Sequence, residues 1–518
     1  MTLRMTRGLK FGLTCVALAA GANAAEVSVV ETRGDVNAAV ARVVAAGGGR
    51  VVVPKGDWPT PSVKLASNVE LFLADGARLV ASTNRSDYES LALPYSEGAL
   101  MAVVTAVGVT NVAITGRGEI FGNGTAWPQP EDYGGNQEGR RPRGVLFANC
   151  RHVRLSGFTL RDSPCWGVVL KCCEGVDIRR VKVDSHANAN NDGIDIEARD
   201  VVIADCDIDT GDDAVCLKSN DPGFVVENVL VSNVVARSHC NALKLGTASH
   251  GTMRNILFVD CRTEAPRRDF TDRRFGRNRK WYENEDRRMS KLGYDWRKGG
   301  AAISGLCVEN VDGGTVEDIT YRNINVRGIC VPIFVRAGTR TGRSCGTPPS
   351  DQYVFRRIRF ENIVGEASSF VASSVTGVEG CRVKDVEFTN IDIRCSGAGE
   401  ASGRALSMPV PEVTGAYPDA HMFGHMLPAY GLYVRHVDGV RLENVRFVLK
   451  SGSHDARQMT VLDDVTNVRT SPQQCCAQVK IIFDTDMVED YEDVGALTTL
   501  HVQADEDRCV GIMGTCPL

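Results

Sequence analysis

A phrase of alternating apolar and polar residues recurs along this chain and is closed each time by Asn, Asp or Gly. Four consecutive copies contain the segments HVRLSGFTLRDS, GVDIRRVKVDS, DVVIADCDIDTG and VVENVLVSNVV. Anchored on Val153, Val176, Val201 and Val226, these copies are 23, 25 and 25 residues apart. A period of this length is typical of solenoids, and alternation at every second residue indicates strands rather than helices. The repeats therefore predict an all-β parallel β-helix, and their even spacing argues against a β-sandwich with irregularly placed hairpin turns.

A different pattern precedes the repeats. Residues 35–48 (DVNAAVARVVAAGG) have the apolar spacing of a helix and are rich in helix-forming alanine. Without a cover, the first coil of a solenoid would expose the unpaired edge of its strands. We therefore expect an N-terminal capping helix on the coil stack.

Charge and composition exclude several other classes of protein. The 518 residues include 64 Asp or Glu and 59 Lys or Arg, which gives a formal net charge of -5 and argues against a nucleic-acid partner. Hydrophobic residues make up 43% of the chain, enough to bury a large core. We find no later run apolar enough to span a bilayer and expect no membrane partner.

The first 24 residues have the organisation of a signal peptide. Arg4, Arg7 and Lys10 form a positive region, Phe11–Ala20 is apolar, and the residues Ala-Asn-Ala at 22–24 form a small-residue cleavage site. The apolar stretch is about half as long as a membrane span requires. The pattern predicts export of a mature chain from residue 25, to the periplasm or outside the cell.

The chain contains 18 cysteines, but their positions do not favour a disulfide framework. Cys150, Cys206 and Cys261 each close an apolar-polar run at a similar position of the repeat, so we expect buried thiols there. The adjacent pairs at 172–173 and 475–476 lack the spacing of metal ligands. We therefore expect no zinc site and no cofactor.

One stretch, residues 266–300, breaks the repeat. It combines twelve Lys or Arg residues with six aromatic residues and is interpreted as a long inserted loop. Such a composition can bind nucleic acid, but in an exported protein we favour contact with an acidic sugar polymer. A solvated surface loop is the alternative.

Three carboxylates fall together when consecutive coils are aligned by their apolar residues. The segments NDGIDI (191–196), DDAVCL (212–217) and CNALKL (240–245) then place Asp192, Asp213 and Asn241 in one row, with Asp212 in the next. Neighbouring strands lie about 4.8 Å apart, so the charges repel and separate the pKa values. A protonated and an ionised carboxyl at one pH are what acid and base catalysis requires.

The same pattern has other interpretations. Aspartates are common at the ends of strands, and a pair of them can bind calcium. Asp195 and Lys244 share an outward row on neighbouring coils, with Cys216 between them. This arrangement predicts either a positioning pair or two surface charges.

Residues 30–450 resemble family 28 of the glycoside hydrolases, the polygalacturonases and their relatives. The resemblance rests on the segments GGGRVVVPKGDW (47–58), LASNVELFLADGARLVAS (65–82), ITGRGEIFGNGTAW (114–127), DSPCWGV (162–168), NNDGIDI (190–196) and TGDDAVCLKS (210–219). It implies a right-handed parallel β-helix over residues 25–470 and inverting hydrolysis of galacturonide linkages without a metal. Asp212 matches the general acid, and Asp192 and Asp213 match the residues that hold and activate water, with carboxyls about 6.5–9.5 Å apart across the bond.

Two positions depart from the family pattern. Asn241 stands where polygalacturonases carry the histidine of a Gly-His-Gly motif, and residues 304–308 lack the cation of an Arg-Ile-Lys motif. His239 or His250 would replace the histidine, and Lys244 or the loop at 266–300 the cation. The predicted substrate-binding residues are therefore Asn241, Lys244 and His239, and the predicted substrate is an acidic plant-type polysaccharide of the galacturonan or rhamnogalacturonan type.

The C-terminal tail, residues 471–518, carries a second resemblance. VKIIFDTDMVEDYEDVGAL (479–497) is similar to the start of nucleoside hydrolases, and Asp484, Asp486 and Asp490 match their calcium-binding aspartates. Because only some 40 residues of that family are present, we interpret the tail as a truncated remnant, with a dimerising or docking tail as the alternative. For the whole chain, a polysaccharide lyase and a non-catalytic carbohydrate-binding β-helix stay open beside the hydrolase.

Overall fold

The structure, a computed structural model, describes residues 24–96, 100–127, 140–268, 302–340, 353–405, 409–424, 426–470, 479–484, 500–505 and 508–513. Among these, the first of two compact units contains the residues up to Val235 and the segment Thr252–Leu257. The second unit contains Ala236–Gly251 and the residues from Phe258 onward. The predicted signal peptide up to residue 23, most of the basic loop (269–301) and the tail residues Asp486 and Asp490 lie outside the described residues.

Strands make up most of the described chain. In chain order they are β1 (Ala25–Ser28), β2 (Gly49–Val53), β3 (Gly56–Thr60), β4 (Val63–Lys64), β5 (Val69–Leu73), β6 (Ala77–Ala81), β7 (Ala102–Val107), β8 (Thr110–Gly116), β9 (Glu119–Phe121), β10 (Arg143–Ala148), β11 (Arg151–Ser156), β12 (Thr159–Arg161), β13 (Val168–Arg179), β14 (Lys182–Ser185), β15 (Ile194–Ala204), β16 (Asp207–Thr210), β17 (Val215–Ser219), β18 (Val225–Ser232), β19 (Val235–Ser238), β20 (Asn241–Ser249), β21 (Thr252–Val259), β22 (Arg262–Glu264), β23 (Ala302–Asn310), β24 (Thr315–Ala337), β25 (Val354–Ala367), β26 (Ser373–Thr376), β27 (Val383–Cys395), β28 (Ala429–Leu449), β29 (Gln458–Thr470), β30 (Val479–Asp484), β31 (Leu500–Asp505) and β32 (Arg508–Met513). The helices are α1 (Val36–Ala45) and α2 (Ser402–Ala405), with 3-10 turns at Val29–Thr32, Arg85–Asp87 and Gly124–Ala126. None of the helices in these ranges is long and apolar enough to cross a membrane.

In the first unit, strands of successive coils pair in parallel, so the predicted right-handed parallel β-helix is confirmed. Val153, Val176 and Val201 stack in the core as the repeat predicts. The fourth anchor was wrong, because Val201 pairs with Val229 rather than Val226. The two coils differ at the corner that precedes the paired valines. β15 continues through this corner without a break, whereas the loop 220–224 separates β17 from β18 in the next coil, which is therefore longer.

The predicted capping helix is also confirmed, as α1. The Asp35 side chain accepts a hydrogen bond from the backbone N–H of Ala38 at 2.9 Å, which satisfies a donor at the helix N-terminus. Val36, Val40 and Val43 are buried on its inner face, which accounts for the apolar spacing in the sequence.

Three buried thiols repeat one local arrangement. The Sγ atoms of Cys150, Cys206 and Cys261 each lie 3.3 Å from the carbonyl oxygen two residues earlier. All three cysteines are unbridged. The prediction of buried thiols is confirmed, but their positions in the repeat are not equivalent, because Cys150 separates β10 from β11 whereas Cys206 separates β15 from β16.

In the second unit, two ladders of side chains connect the coils. An aromatic ladder of Phe258, Tyr321, Phe360 and Phe388 stacks with ring centroids 4.6, 5.5 and 5.1 Å apart. Such stacking adds to the energy of burial.

The second ladder consists of corner residues with left-handed backbone. The amides of Asn323, Asn362, Asn390 and Asn444 each donate to the side-chain oxygen of the ladder residue before, starting at Asp260, at 2.8–2.9 Å. Their φ angles are 52 to 55°, a conformation that asparagine tolerates better than most residues.

The described strands of the predicted C-terminal tail continue the parallel sheet that ends with β29. β30 pairs in parallel with β29, and β32 returns antiparallel to both β30 and β31. Asp484 ends β30. The suggested origin from a nucleoside hydrolase stays a prediction.

Candidate active site

The three predicted catalytic aspartates stand just before adjacent parallel strands of the first unit. Asp192 precedes β15, and Asp212 and Asp213 precede β17. The strands pair with Ile194 opposite Val215, and the Gly193 N–H donates to the Asp213 carbonyl oxygen at 2.8 Å. The predicted register of these two coils is therefore confirmed, and it brings Asp192 beside Asp213.

The turn before β17 holds its two carboxylates close together. The backbone N–H of Asp213 donates to Asp212 Oδ1 at 2.9 Å, and the Thr210 hydroxyl donates to the Asp212 carbonyl oxygen at 2.7 Å. One carboxylate oxygen of each aspartate lies within 4.8 Å of the other. A Cβ atom at Gly211 would lie 2.6 Å from Oδ1 of the buried Asn191, so a larger residue there would displace that side chain. Asp212 is half-buried and Asp213 is buried, so Asp212 is the more accessible of the two.

Burial and the neighbouring negative charges shift the pKa of Asp192 in the same direction. Burial raises the pKa of Asp192 well above its usual range, and the carboxylates of Asp195, Asp212 and Asp213 raise it further, while Lys218 opposes them. Asp192 Oδ1 has no hydrogen-bond partner among the described residues. This cluster therefore retains a proton to higher pH than an ordinary aspartate would.

Sequence reasoning missed the cation of this cluster. Lys218 Nζ lies 3.4 Å from Asp195 Oδ1, 3.8 Å from Asp192 Oδ2 and 4.2 Å from the centroid of the Trp166 ring. The signal was present, since Lys218 follows Cys216 by two residues and must point to the same side of β17. The interpretation of Asp195 as a surface charge was wrong, because the side chain is buried beside Lys218.

A buried arginine shapes the loop that leads to Asp192. Arg141 Nη1 donates to the carbonyl oxygen of Pro164 at 2.9 Å and to Asn188 Oδ1 at 3.0 Å. Arg141 Nη2 donates to Asn190 Oδ1 at 3.1 Å. The side chain is fully buried, so these bonds fix the backbone just before the aspartate.

The predicted substrate-binding residues belong to the second unit. Asn241 is buried and accepts a hydrogen bond from the Ser304 hydroxyl at 2.6 Å. His239 is also buried, with Nε2 3.1 Å from the carbonyl oxygen of Arg268. Lys244 Nζ lies 3.7 Å from Glu309 Oε2 with both side chains buried, so its interpretation as a surface charge was wrong.

The other proposed histidine, His250, lies 3.6 Å from an oxygen of Asp312. That carboxylate also accepts two hydrogen bonds from Arg340. His250 is thus part of a charged network of the second unit.

Comparisons with known proteins agree with this fold. A curated relative from Vitis vinifera, described as a probable polygalacturonase, is 32% identical over 184 residues, 33% of this chain and 37% of the relative. The solved family 28 exopolygalacturonase of Yersinia enterocolitica is similar with a TM-score of 0.61 and 16% identity, over 86% of this chain and 78% of that one. An exopolygalacturonase of Thermotoga maritima gives a TM-score of 0.53 and 22% identity, over 72% and 87%. At these identities, the two solved structures support the fold alone.

The family itself is established by a match over the sequence. The model of the family described as Glycosyl hydrolases family 28 matches residues 51–254 and 307–409, which together are more than half of the chain. The matched region contains the three aspartates and the coils that carry them. The chain therefore belongs to family 28 of the glycosyl hydrolases.

Proposed function

We propose that this protein is an exported glycoside hydrolase that cleaves pectic polysaccharide by inversion. The observation that carries the proposal is the cluster of Asp192, Asp212 and Asp213 on adjacent coils, in which a buried acid has a raised pKa. Family membership and a relative described as a probable polygalacturonase support a galacturonan-type substrate. Export is proposed from the N-terminal sequence pattern.

Each aspartate has a distinct role in this mechanism. Asp212, the more accessible carboxyl, protonates the glycosidic oxygen as general acid. Asp192 and Asp213 hold and activate the attacking water on the other side of the sugar. Repulsion among the three carboxylates keeps one of them protonated while another is ionised.

The substrate-binding roles of Asn241, His239 and Lys244 are proposals of unequal support. Asn241 and His239 each offer a polar group that could contact a sugar hydroxyl. Lys244 is buried against Glu309, which favours a structural ion pair over contact with a polysaccharide.

The decisive experiment is incubation of the purified protein with galacturonan, methyl-esterified galacturonan and rhamnogalacturonan. We expect release of new reducing ends, and proton NMR should show a first product anomer opposite in configuration to the cleaved linkage. Product with ultraviolet absorbance would identify a lyase instead. Binding without product from any fraction would identify a carbohydrate-binding protein.

A variant pair connects this activity to the cluster. Asp212→Asn should lower kcat about 10²- to 10⁴-fold, because the general acid is lost. The matched control is Asp75→Asn on the surface of the first unit, where 73% of the side chain is exposed; it should retain activity. Equal activity of both variants would remove Asp212 from the mechanism.

A further inference from the structure

The two turns that carry the proposed catalytic aspartates begin at the same end of neighbouring parallel strands in the first unit. Loop 186–191 leads from β14 to Asp192, and a short turn leads from β16 to Asp212. β14 and β16 pair in parallel, with Ser185 opposite Thr210 as the last pair. The paired strands end there, so the separation of the two aspartates depends in part on what holds the turns beyond them.

A buried histidine and a buried aspartate connect these two turns. His186 Nε2 lies 2.9 Å from Asp209 Oδ1, and each side chain is 1% exposed. His186 is the first residue after β14, and Asp209 is the next-to-last residue of β16. A hydrogen bond of this length joins the two side chains whichever of them carries the proton. The contact therefore connects the start of the loop before Asp192 with the strand end before Asp212.

The environment of Asp209 differs from that of its neighbour in the ladder. Asp184 stands opposite Asp209, but its carboxylate accepts a hydrogen bond from Arg161 at 2.6 Å and is 26% exposed. A buried polar pair adds little net stability compared with apolar side chains of similar size, because both groups lose water. A hydrogen bond does fix a distance and a direction, which apolar contacts do not. Packing alone therefore does not explain the burial of Asp209 against His186.

Two contacts described above act on one turn each. The Thr210 hydroxyl donates to the Asp212 carbonyl oxygen within the turn after β16, and Arg141 donates to Asn188 in the loop after β14. The contact between His186 and Asp209 differs from both, because it joins one turn to the other. In an inverting hydrolase the acid and the water-holding carboxyl lie on opposite sides of the bond, so their separation matters. A displacement of about 1 Å can lower a catalytic rate about 100-fold.

We propose that His186 and Asp209 form a positioning pair that fixes the loop carrying Asp192 relative to the turn carrying Asp212. The inference rests on the proposed function and deepens it. Both side chains are almost completely buried, so the pair acts through the two turns and does not touch the sugar. The chemical step should therefore depend on the pair, whereas substrate binding should not.

The kinetic test removes the hydrogen bond and then restores it. His186→Leu should lower kcat on galacturonan about 10- to 100-fold and leave KM within about twofold of the parent value. His186→Gln places an amide N–H near the position of Nε2 and should recover most of kcat. An unchanged kcat in His186→Leu, or a loss of kcat/KM that lies entirely in KM, would overturn the proposal.

A double variant separates positioning from stability and also serves if His186→Leu does not fold. His186→Leu/Asp209→Leu avoids leaving one member of the pair buried without the other, so its Tm should be closer to that of the parent. Its kcat should stay as low as in the single variant. Recovery of kcat together with Tm would overturn the proposal, because the pair would then serve the fold alone.

The matched control is a buried ion pair of the second unit. Asp455 lies 2.7 Å from Arg457, and both side chains are 0% exposed. Asp455→Asn should lower the Tm and retain kcat. A loss of kcat as large as that of His186→Leu would overturn the proposal, because any destabilising change would then have the same effect.

Hydrogen–deuterium exchange separates this inference from the proposed function, since it needs no turnover. In His186→Leu, peptides covering residues 186–192 and 209–213 should take up deuterium about tenfold faster, because their turns open more often. A peptide covering residues 69–77 of the same unit is the control and should be unchanged. This result would support the pairing of the turns even if no pectic fraction were cleaved. Unchanged uptake at both turns, or an equal increase in all three peptides, would overturn it.

Discussion

Two aspartates of this protein, the buried Asp192 of the first unit and the half-buried Asp464 of the second, have pKa values shifted in opposite directions. Burial and the neighbouring carboxylates raise the pKa of Asp192 in the first unit. Burial also acts to raise the pKa of Asp464 in the second unit, but hydrogen bonds from His436 and Arg382 outweigh it and lower the pKa to about 2. Burial acts to raise both pKa values, so burial by itself does not decide the direction of the shift.

The difference lies in how closely a cation contacts each acid. Asp464 is in direct hydrogen-bond contact with His436 and Arg382. Among the described residues, the cation beside Asp192 is Lys218, whose Nζ lies 3.8 Å from Asp192 and 3.4 Å from Asp195. An acid with close cations stabilises the fold, whereas an acid with excess negative charge around it is available for proton transfer.

The largest expected effect is on catalytic activity, which should depend on the acid of the first unit and not on an acid of the second. Asp192→Asn should lower kcat/KM about 10²- to 10⁴-fold with little change in Tm, since it removes one of the two carboxyl groups proposed to hold the attacking water. The contrasting variant is Asp463→Asn in the second unit, where the carboxylate accepts a hydrogen bond from the Tyr433 hydroxyl at 2.6 Å. It should retain kcat and lose stability. The same loss of activity in both variants would erase the contrast.

A second prediction concerns the pH profile. Lys218 holds the pKa of Asp192 down against burial and its acidic neighbours, so Lys218→Met should move the acid limb of kcat/KM to higher pH. The measurement is the pH dependence on methyl-esterified galacturonan, where charge on the substrate does not contribute. An unchanged acid limb would show that Lys218 does not act on Asp192.

A third prediction is that the contribution of His436 and Asp464 in the second unit to the free energy of unfolding depends on pH. Burial lowers the pKa of His436, but hydrogen bonds to Asp464 and Glu412 outweigh it and raise the pKa. A raised histidine pKa contributes stability below about 6.5 that is lost as the pH rises through the folded value. The lowered pKa of Asp464 contributes stability that is lost only as the pH falls from about 3.8 toward 2.

His436→Asn should therefore lower the Tm most between about pH 4 and 6.5 and least above pH 8. Thermal unfolding at a series of pH values measures this. The exposed His454 provides the control, because His454→Asn should change the Tm little at any pH. A pH-independent loss in His436→Asn would show that packing, not charge, is what the histidine supplies.

The smallest effect is expected in the asparagine ladder. Asn362→Ala removes the hydrogen bond to Asn323 and the one from Asn390. It also places alanine, which tolerates left-handed backbone less well than asparagine, at a φ of 55°. We therefore expect the free energy of unfolding to fall by about 1–2 kcal/mol. Urea unfolding measures it. Asn362→Gly should recover the backbone part of the loss but not the hydrogen bonds. If both variants match the parent protein, the ladder does not stabilise the coils.

The repeat and the register of the site were predictable because one face of each strand must enter the core. Alternation alone therefore placed Ile194 opposite Val215 and brought Asp192 to Asp213. The prediction was wrong at Val226, where a corner loop of unpredicted length displaces the pairing of Val201 to Val229. It also could not tell that outward positions such as Asp195 are covered, because the covering residues come from distant segments.

By itself, the sequence determined the coil architecture, the capping helix and the alignment of the three aspartates, since each depends on a local period of apolar residues. The tertiary structure decided in which direction the pKa of Asp192 is shifted and which cation lies beside it. Trp166, Arg143 and Lys218 are far apart along the chain, and only the stacking of coils brings their charges within a few ångströms. Electrostatic energy depends on those distances and on burial, and neither is encoded in any single repeat.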